Sequence, residues 1–258
     1  LVRHVIVGKA QIVALLLLAA VAACSRAPEP PSGEAAANDA GYVSPPAVTQ
    51  ASPTAGGVSL RGAAPAGAQV RLASPGGATL TTRADAAGTW RLQLATSDAA
   101  RIFGLSAESG GRRVQAQGYV LVGPRGETAL LRAGAAALRM DRPAGPRISA
   151  VDIAADGGAL VSGWAAAGTD VAVRVDGRSV GEARTDDDGR FSFAISRLGA
   201  GPRRIEATGV GFTDEVAFDA TPAAPLVAAP LRSQLTQRGL RADWLTPGGG
   251  VQSTILAG

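Results

Sequence analysis

The sequence predicts an all-β chain built around two tandem β-sandwiches, and three observations carry that prediction. First, the landmarks of Gly163 to Phe191 recur without gaps 101 residues earlier. Gly62 answers Gly163, Gly67 answers Gly168, Val70 answers Val171 and Leu72 answers Val173. Asp85 answers Asp186, Gly88 answers Gly189 and Trp90 answers Phe191. A period that long is two copies of a domain, since solenoid repeats are much shorter. Second, apolar residues alternate with polar ones in short runs about eight to twelve residues apart, with turn residues between, the spacing of a sandwich. Third, 34 glycines and 16 prolines in 258 residues demand many turns, and only 4% of residues are aromatic, so Val, Leu, Ile and Ala must fill the cores.

Residues 1–23 read as a signal peptide. Arg3, His4 and Lys9 form a basic leader before the apolar run Ile12 to Ala23, IVALLLLAAVAA. That run suits a signal core and is short of the roughly 20 residues of a spanning helix. An ordinary secretory signal and an uncleaved anchor are the alternatives. Residues 24–47, beginning at the only cysteine, are poor in large apolar groups and rich in proline. They read as a semi-extended tether, up to ~3.1 Å per residue, that cannot bury enough surface to fold.

The first module spans 48–141. Val58 to Leu60, Ala68 to Leu72, Trp90 to Leu94 and Leu105 with Ala107 mark its strands. Arg113 to Val122 and Glu127 to Arg132 read as a hairpin around Gly123 to Gly126 that the second module lacks, and Ala133 to Pro146 as a connection closing with a linker at 142–147. The second module, 148–221, shows seven strand markers: Ile148, Leu160, Val171 to Val175, Val180, Phe191 to Ile195, Ile205/Ala207 and Val216/Phe218. Each has one apolar face, so two sheets packed face to face are required. Residues 222–258 begin as a Pro/Ala linker. Leu231 to Arg238 is expected as a short helix capped by Gly239, followed by a strand pair, Leu240 to Leu245 and Val251 to Leu256, around Thr246 to Gly250. This C-terminal hairpin either packs back on the second sandwich or adds to a partner's sheet edge.

Two resemblances follow from quoted residues. Val21-Ala22-Ala23-Cys24-Ser25 resembles the lipobox of bacterial lipoproteins, with valine in place of the more usual leucine. It implies a lipidated Cys24, membrane attachment through that lipid, and, with Ser25 following, the outer membrane. The pattern Gly163, Ala165, Gly168, Val171, Val173, Asp176-Gly177, Val180-Gly181, Thr185-Asp186, Gly189, Phe191 resembles bacterial immunoglobulin-like repeats. In the first module Pro75 and Gly76 replace Asp176 and Gly177. The resemblance implies immunoglobulin-like sandwiches acting as spacer or adhesive units, with no catalytic residues; transthyretin-like sandwiches share much of the pattern.

Candidate chemistry is sparse. Asp186-Asp187-Asp188-Gly189 invites calcium, but calcium loops place their oxygens at alternate positions. The matching turn, Asp85-Ala86-Ala87-Gly88, keeps only the first Asp and the Gly, so the shared part is turn chemistry. No metal and no cofactor is expected. Trp164, opposite Ala63 in the repeat, is a candidate for stacking on a glycan or for capping a core, and Trp244 is a candidate ligand-binding residue of the C-terminal hairpin. After Lys9 the chain has neither lysine nor histidine, which removes the usual hydrolase bases, Schiff-base chemistry and histidine-held metals. Glu182, Glu206 and Glu215 are carboxylates that no motif selects, and the chain is read as a non-enzyme. Without Arg3 and Lys9, 23 of the 25 basic residues remain against 21 acidic ones, all arginine and scattered, so no nucleic-acid partner is expected. The expected partners are the membrane, through the lipid, and an envelope protein or glycan.

Overall fold

The computed structural model describes residues 42–142 and 144–258, and every regular element among them is a strand. The signal peptide, Cys24 and all of the tether before Tyr42 lie outside the described residues. In chain order the first module contains β1 (Ala47–Thr54), β2 (Gly57–Ala63), β3 (Gln69–Ala73), β4 (Thr79–Arg83), β5 (Thr89–Ala95), β6 (Arg101–Ser109), β7 (Arg112–Val122), β8 (Thr128–Leu131) and β9 (Leu138–Arg139). The second contains β10 (Arg147–Ile153), β11 (Ala159–Trp164), β12 (Asp170–Val175), β13 (Arg178–Arg184), β14 (Arg190–Ile195), β15 (Pro202–Gly209) and β16 (Phe212–Asp219). The tail adds β17 (Leu231–Thr236), β18 (Gly239–Leu245) and β19 (Val251–Ala257).

Advancing β1–β7 by 101 residues places each on its counterpart among β10–β16, so the repeat covers seven strands. In each copy, strands one, two and five form one antiparallel sheet, and four, three, six and seven the facing one. Both modules are immunoglobulin-like sandwiches whose fourth strand pairs with the third. The repeated glycines and aromatics are explained by contact across strands. Gly62 pairs with Trp90 and Gly163 with Phe191. A Cβ on either glycine would overlap the opposite ring and a carbonyl of the neighbouring strand. The aromatic lies over the missing side chain, and both must be kept together.

The two modules are not beads on a linker. Four layers stack in order: β1-β2-β5, then β4-β3-β6-β7-β8-β9, then β14-β11-β10-β19-β18-β17, then β13-β12-β15-β16. One core lies inside each sandwich, the first around Leu60, Leu72, Trp90 and Leu105, the other around Ile148, Val171, Phe191 and Ile205. A third core fills the space between the middle layers. It joins Ile102, Leu121, Ala129 and Leu131 of the first module to Ala150, Leu240, Ala242, Trp244 and Leu256. The middle layers are therefore buried on both faces, which is why Tyr119 to Val122 and Ala129 to Leu131 read as continuous apolar runs.

Several expectations are corrected. Leu231 to Arg238 is not a helix: β17 pairs with β18 from Leu231↔Trp244 to Thr236↔Gly239. Its short polar run is held extended by a neighbouring strand, and tertiary pairing overrides local propensity. Of the two readings of the C-terminal hairpin, the one that packs it back on the second sandwich agrees with the structure: β19 pairs with β10 from Ala150↔Leu256 to Ile153↔Ser253, so all three tail strands join that module's own sheet. The strand over Arg113 to Val122 is not an addition, since it is β7, the counterpart of β16; the extra elements are β8 and β9. The stretch Ala133 to Pro146 includes β9 and the buried Ala137 and Met140, so it is part of the packed structure. Val180 lies on β13 as expected, yet is 41% exposed.

Candidate functional site

The sequence-selected residues divide sharply once placed. Asp186 closes the β13–β14 turn. Its Oδ1 accepts the backbone N–H of Asp188 at 3.0 Å and of Arg190 at 2.8 Å. Asp85 repeats the arrangement, accepting Ala87 N–H at 3.0 Å and Thr89 N–H at 2.8 Å. Gly189 and Gly88 take φ of 76° and 75° to complete the two turns, where an L side chain would be strained. Asp188 pairs with Arg190 at 2.9 Å, and Asp187 is exposed. Each carboxylate thus points its own way, and among the described residues no group of three acidic, His or Cys side chains is placed to hold a metal. Asp186→Ala is expected to lower stability by about 1 kcal/mol by freeing two N–H groups. Asp187→Ala should stay within about 0.5 kcal/mol. Urea midpoints of the two variants compare them directly, and equal effects would contradict this division of roles.

The tryptophans are packed. Trp164 is 7% exposed, with the Arg142 guanidinium 5.6 Å from its ring centre. Trp244 is 0% exposed, meets Tyr119 edge-on at 6.0 Å and donates its indole N–H to Thr254 Oγ1 at 3.2 Å. Stacking a sugar on either ring would require unpacking it, so they serve as core rather than as glycan platforms.

Two polar constellations were missed from sequence. One lies on the β18 face turned away from the third core. Asp243, nearly buried, accepts Arg232 through Nε at 3.1 Å and Nη2 at 2.7 Å, Arg241 Nε at 2.9 Å and Ser253 Oγ at 2.7 Å. Burial alone pushes this carboxyl up, but the hydrogen bonds and the Arg241 charge outweigh it and hold it below its ordinary range. Arg241 also donates to the carbonyls of Asp219 at 2.8 Å and Thr221 at 2.7 Å, tying the chain after β16 to the tail. Between that chain and β17–β18 runs a polar groove of about 620 Å³, with Phe218, Asp219, Gln234, Thr236, Arg238 and Arg241 in its walls. Guanidinium and amide groups there can bind a polar chain by hydrogen bonds; no nucleophile–base pair accompanies them. Alternating Arg241 and Asp243 within an otherwise apolar strand was the available signal.

The other constellation lies at the junction of the modules. Asp152 accepts Ala137 N–H at 2.7 Å, Thr254 Oγ1 at 2.5 Å and Gln252 Nε2 at 3.3 Å. The Ala137 carbonyl in turn accepts Ser162 Oγ at 3.2 Å, so both backbone groups of this first-module residue are bonded to the second module. Arg139 reaches the Ala257 carbonyl at 2.6 Å. Burial raises the Asp152 pKa from 3.8 to about 6, against the partial opposition of those three hydrogen bonds and the Arg132 charge. A carboxyl held above its unfolded value destabilises the fold when ionised and ceases to do so on protonation. Stability is therefore expected to rise as pH falls from 7 through 6 toward 4, by up to about 3 kcal/mol. Below that window the lowered carboxyls of Asp219 and Asp243 protonate and stability falls again. Asp152→Asn should flatten the rise in urea titrations between pH 7 and 4, and an unchanged slope would sink this assignment. A lone Asp in the run Ile148 to Ile153 was the signal.

No protein-family model matches this chain, and no curated protein matches it. Among solved structures, it is similar to the BSP domain of a biofilm associated protein, at 18% identity over 70% of this chain and 30% of that one, with a TM-score of 0.25. It is also similar to the central fibronectin-III array of RIM-binding protein, at 13% identity over 83% of this chain and 86% of that one, with a TM-score of 0.27. A third is invasin, a bacterial integrin-binding protein, at 14% identity over 82% of this chain and 54% of that one, with a TM-score of 0.22. At such identities and scores these likenesses carry no argument about function, and the fold rests on the strand pairing above.

Proposed function

We propose that this chain is a non-enzymatic, lipid-anchored module of the bacterial cell envelope, a stiff β-spacer that carries a binding groove on its C-terminal strands. The observation behind the reading is the third core, which makes two sandwiches into one four-layered unit. A continuous apolar core between domains suppresses the relative motion that a polar interface would allow. A spacer needs that stiffness. The lipobox-like Val21 to Ser25 supports anchoring through Cys24, and the proline-rich tether supports standing off the bilayer. The absence of His and Lys after position 9 supports a role without acid–base or Schiff-base catalysis.

The test is labelling with radioactive palmitate followed by envelope fractionation. Incorporation should require Cys24, and Cys24→Ala should abolish it and release the chain from the membrane fraction; unchanged labelling would refute the anchor. Crosslinking in the native envelope should then trap a neighbour at Arg238 in the groove wall, outside β17. The groove also favours a second reading, the binding of a polar glycan such as peptidoglycan, by guanidinium and amide groups rather than by tryptophan. Retention of the protein on purified peptidoglycan, weakened by Arg238→Ala, is the expected result for that reading; no retention counts against it.

A further inference from the structure

The outermost strand of the third layer is unlike the other sheet edges. The edges at β4 and β5, and at β13 and β14, close against each other across their sandwiches, and β16 lies against β10, where Asp214 accepts Ile148 N–H at 2.8 Å. The edge strand β1 gives its Ala51 N–H to the Met140 carbonyl at 2.9 Å, and β9 is two residues long. By contrast β17 is six residues, LRSQLT, exposed from Arg232 onward, and its pairing with β18 has no bulge. It contains no proline, no lysine and no irregularity, and its one charged side chain, Arg232, is paired with Asp243 of its own sheet.

Its open hydrogen-bonding groups can be assigned. Leu245 N–H donates to Pro230 O at 2.9 Å, so Arg232, Gln234 and Thr236 share the ladder with β18. The N–H and C=O groups of Leu231, Ser233 and Leu235 therefore point to the open side. We infer that β17 is a self-pairing edge, to which a second copy of this chain adds its own β17 antiparallel about a twofold axis at Ser233. Only the register centred there engages all three outward residues of both copies. Leu231 meets Leu235 of the second copy, Ser233 meets Ser233, and Arg232 meets Gln234, so no like charges are opposed. The pairing forms about six backbone hydrogen bonds. It covers Leu235, which is 40% exposed, and merges two six-stranded sheets into one. An isologous contact of this kind closes after two copies and does not propagate.

An edge contact is small, so dissociation constants on the order of 1–100 µM are expected. Sedimentation of the full chain in density-matched detergent should show a concentration-dependent dimer in that range. Leu235→Lys, which leaves the β17–β18 ladder intact, should weaken it at least about tenfold. In a Cys24→Ser background, Ser233→Cys should give a disulfide dimer under mild oxidation, because the central pair would sit about 5.5 Å apart. It should form at least about tenfold faster than with Ser196→Cys, an exposed position away from the edge. A monomer at every concentration, equal crosslinking at Ser233 and Ser196, or dimerisation indifferent to Leu235→Lys overturns the proposal, as does occupation of β17 by a different protein.

Discussion

Trp244→Ala is expected to destabilise the protein by about 3–5 kcal/mol, the range for removing a fully buried large aromatic side chain. The ring stands in the third core and takes part in a relay, its indole N–H on Thr254 and the Thr254 hydroxyl on Asp152. Truncation opens a cavity between the modules and leaves Thr254 without one partner, while both sandwich interiors keep their own cores. The loss should therefore be local. Hydrogen exchange should speed up first in β17–β19 and β8, with β12 and β3 retaining protection, and circular dichroism in urea should show one cooperative transition becoming two. An unchanged single transition would mean that the third core contributes little to coupling the modules.

Asp243→Ala is expected to cost about 3 kcal/mol, because it strips two guanidinium groups and a hydroxyl of the carboxylate they share in a largely buried position. The two arginines will not respond alike. Arg241 has a side chain only 18% exposed and holds the chain after β16, so Arg241→Ala should approach the cost of losing Asp243. Arg232 is 49% exposed, and solvent already screens it, so Arg232→Ala should cost on the order of 1 kcal/mol. Thermal melts of the three variants rank them, and a larger effect at Arg232 than at Arg241 would contradict the geometry. The β-edge of the tail depends on this cluster, since Arg232 lies on β17 itself.

Much of the fold was legible in the chain because its information is local. A period of two identifies strands, and the 101-residue echo identifies copies. The contrast between Asp186-Asp187-Asp188-Gly189 and Asp85-Ala86-Ala87-Gly88 already separates turn chemistry from embellishment. The candidate site was much less legible. Asp152, Asp243 and Arg241 each look like an ordinary polar residue in a strand, and their partners stand on strands up to 102 positions away. The two conspicuous tryptophans were ambiguous for the opposite reason. A large aromatic is equally at home on a binding face and in a core, and only the neighbour decides which.

The strand pattern, the two-copy organisation, the hairpin turns and the poverty of catalytic groups were determined by the sequence alone, since each follows from residues near one another or from composition. Which face of each strand is covered, and by what, was decided only by the tertiary structure. Apolar residues on both faces of β7 and β8 state a demand for two partners without naming either. The partners proved to be the first module's own sheet and a tail more than a hundred residues downstream, because hydrophobic burial is non-directional and is satisfied by whichever surface the topology brings within reach.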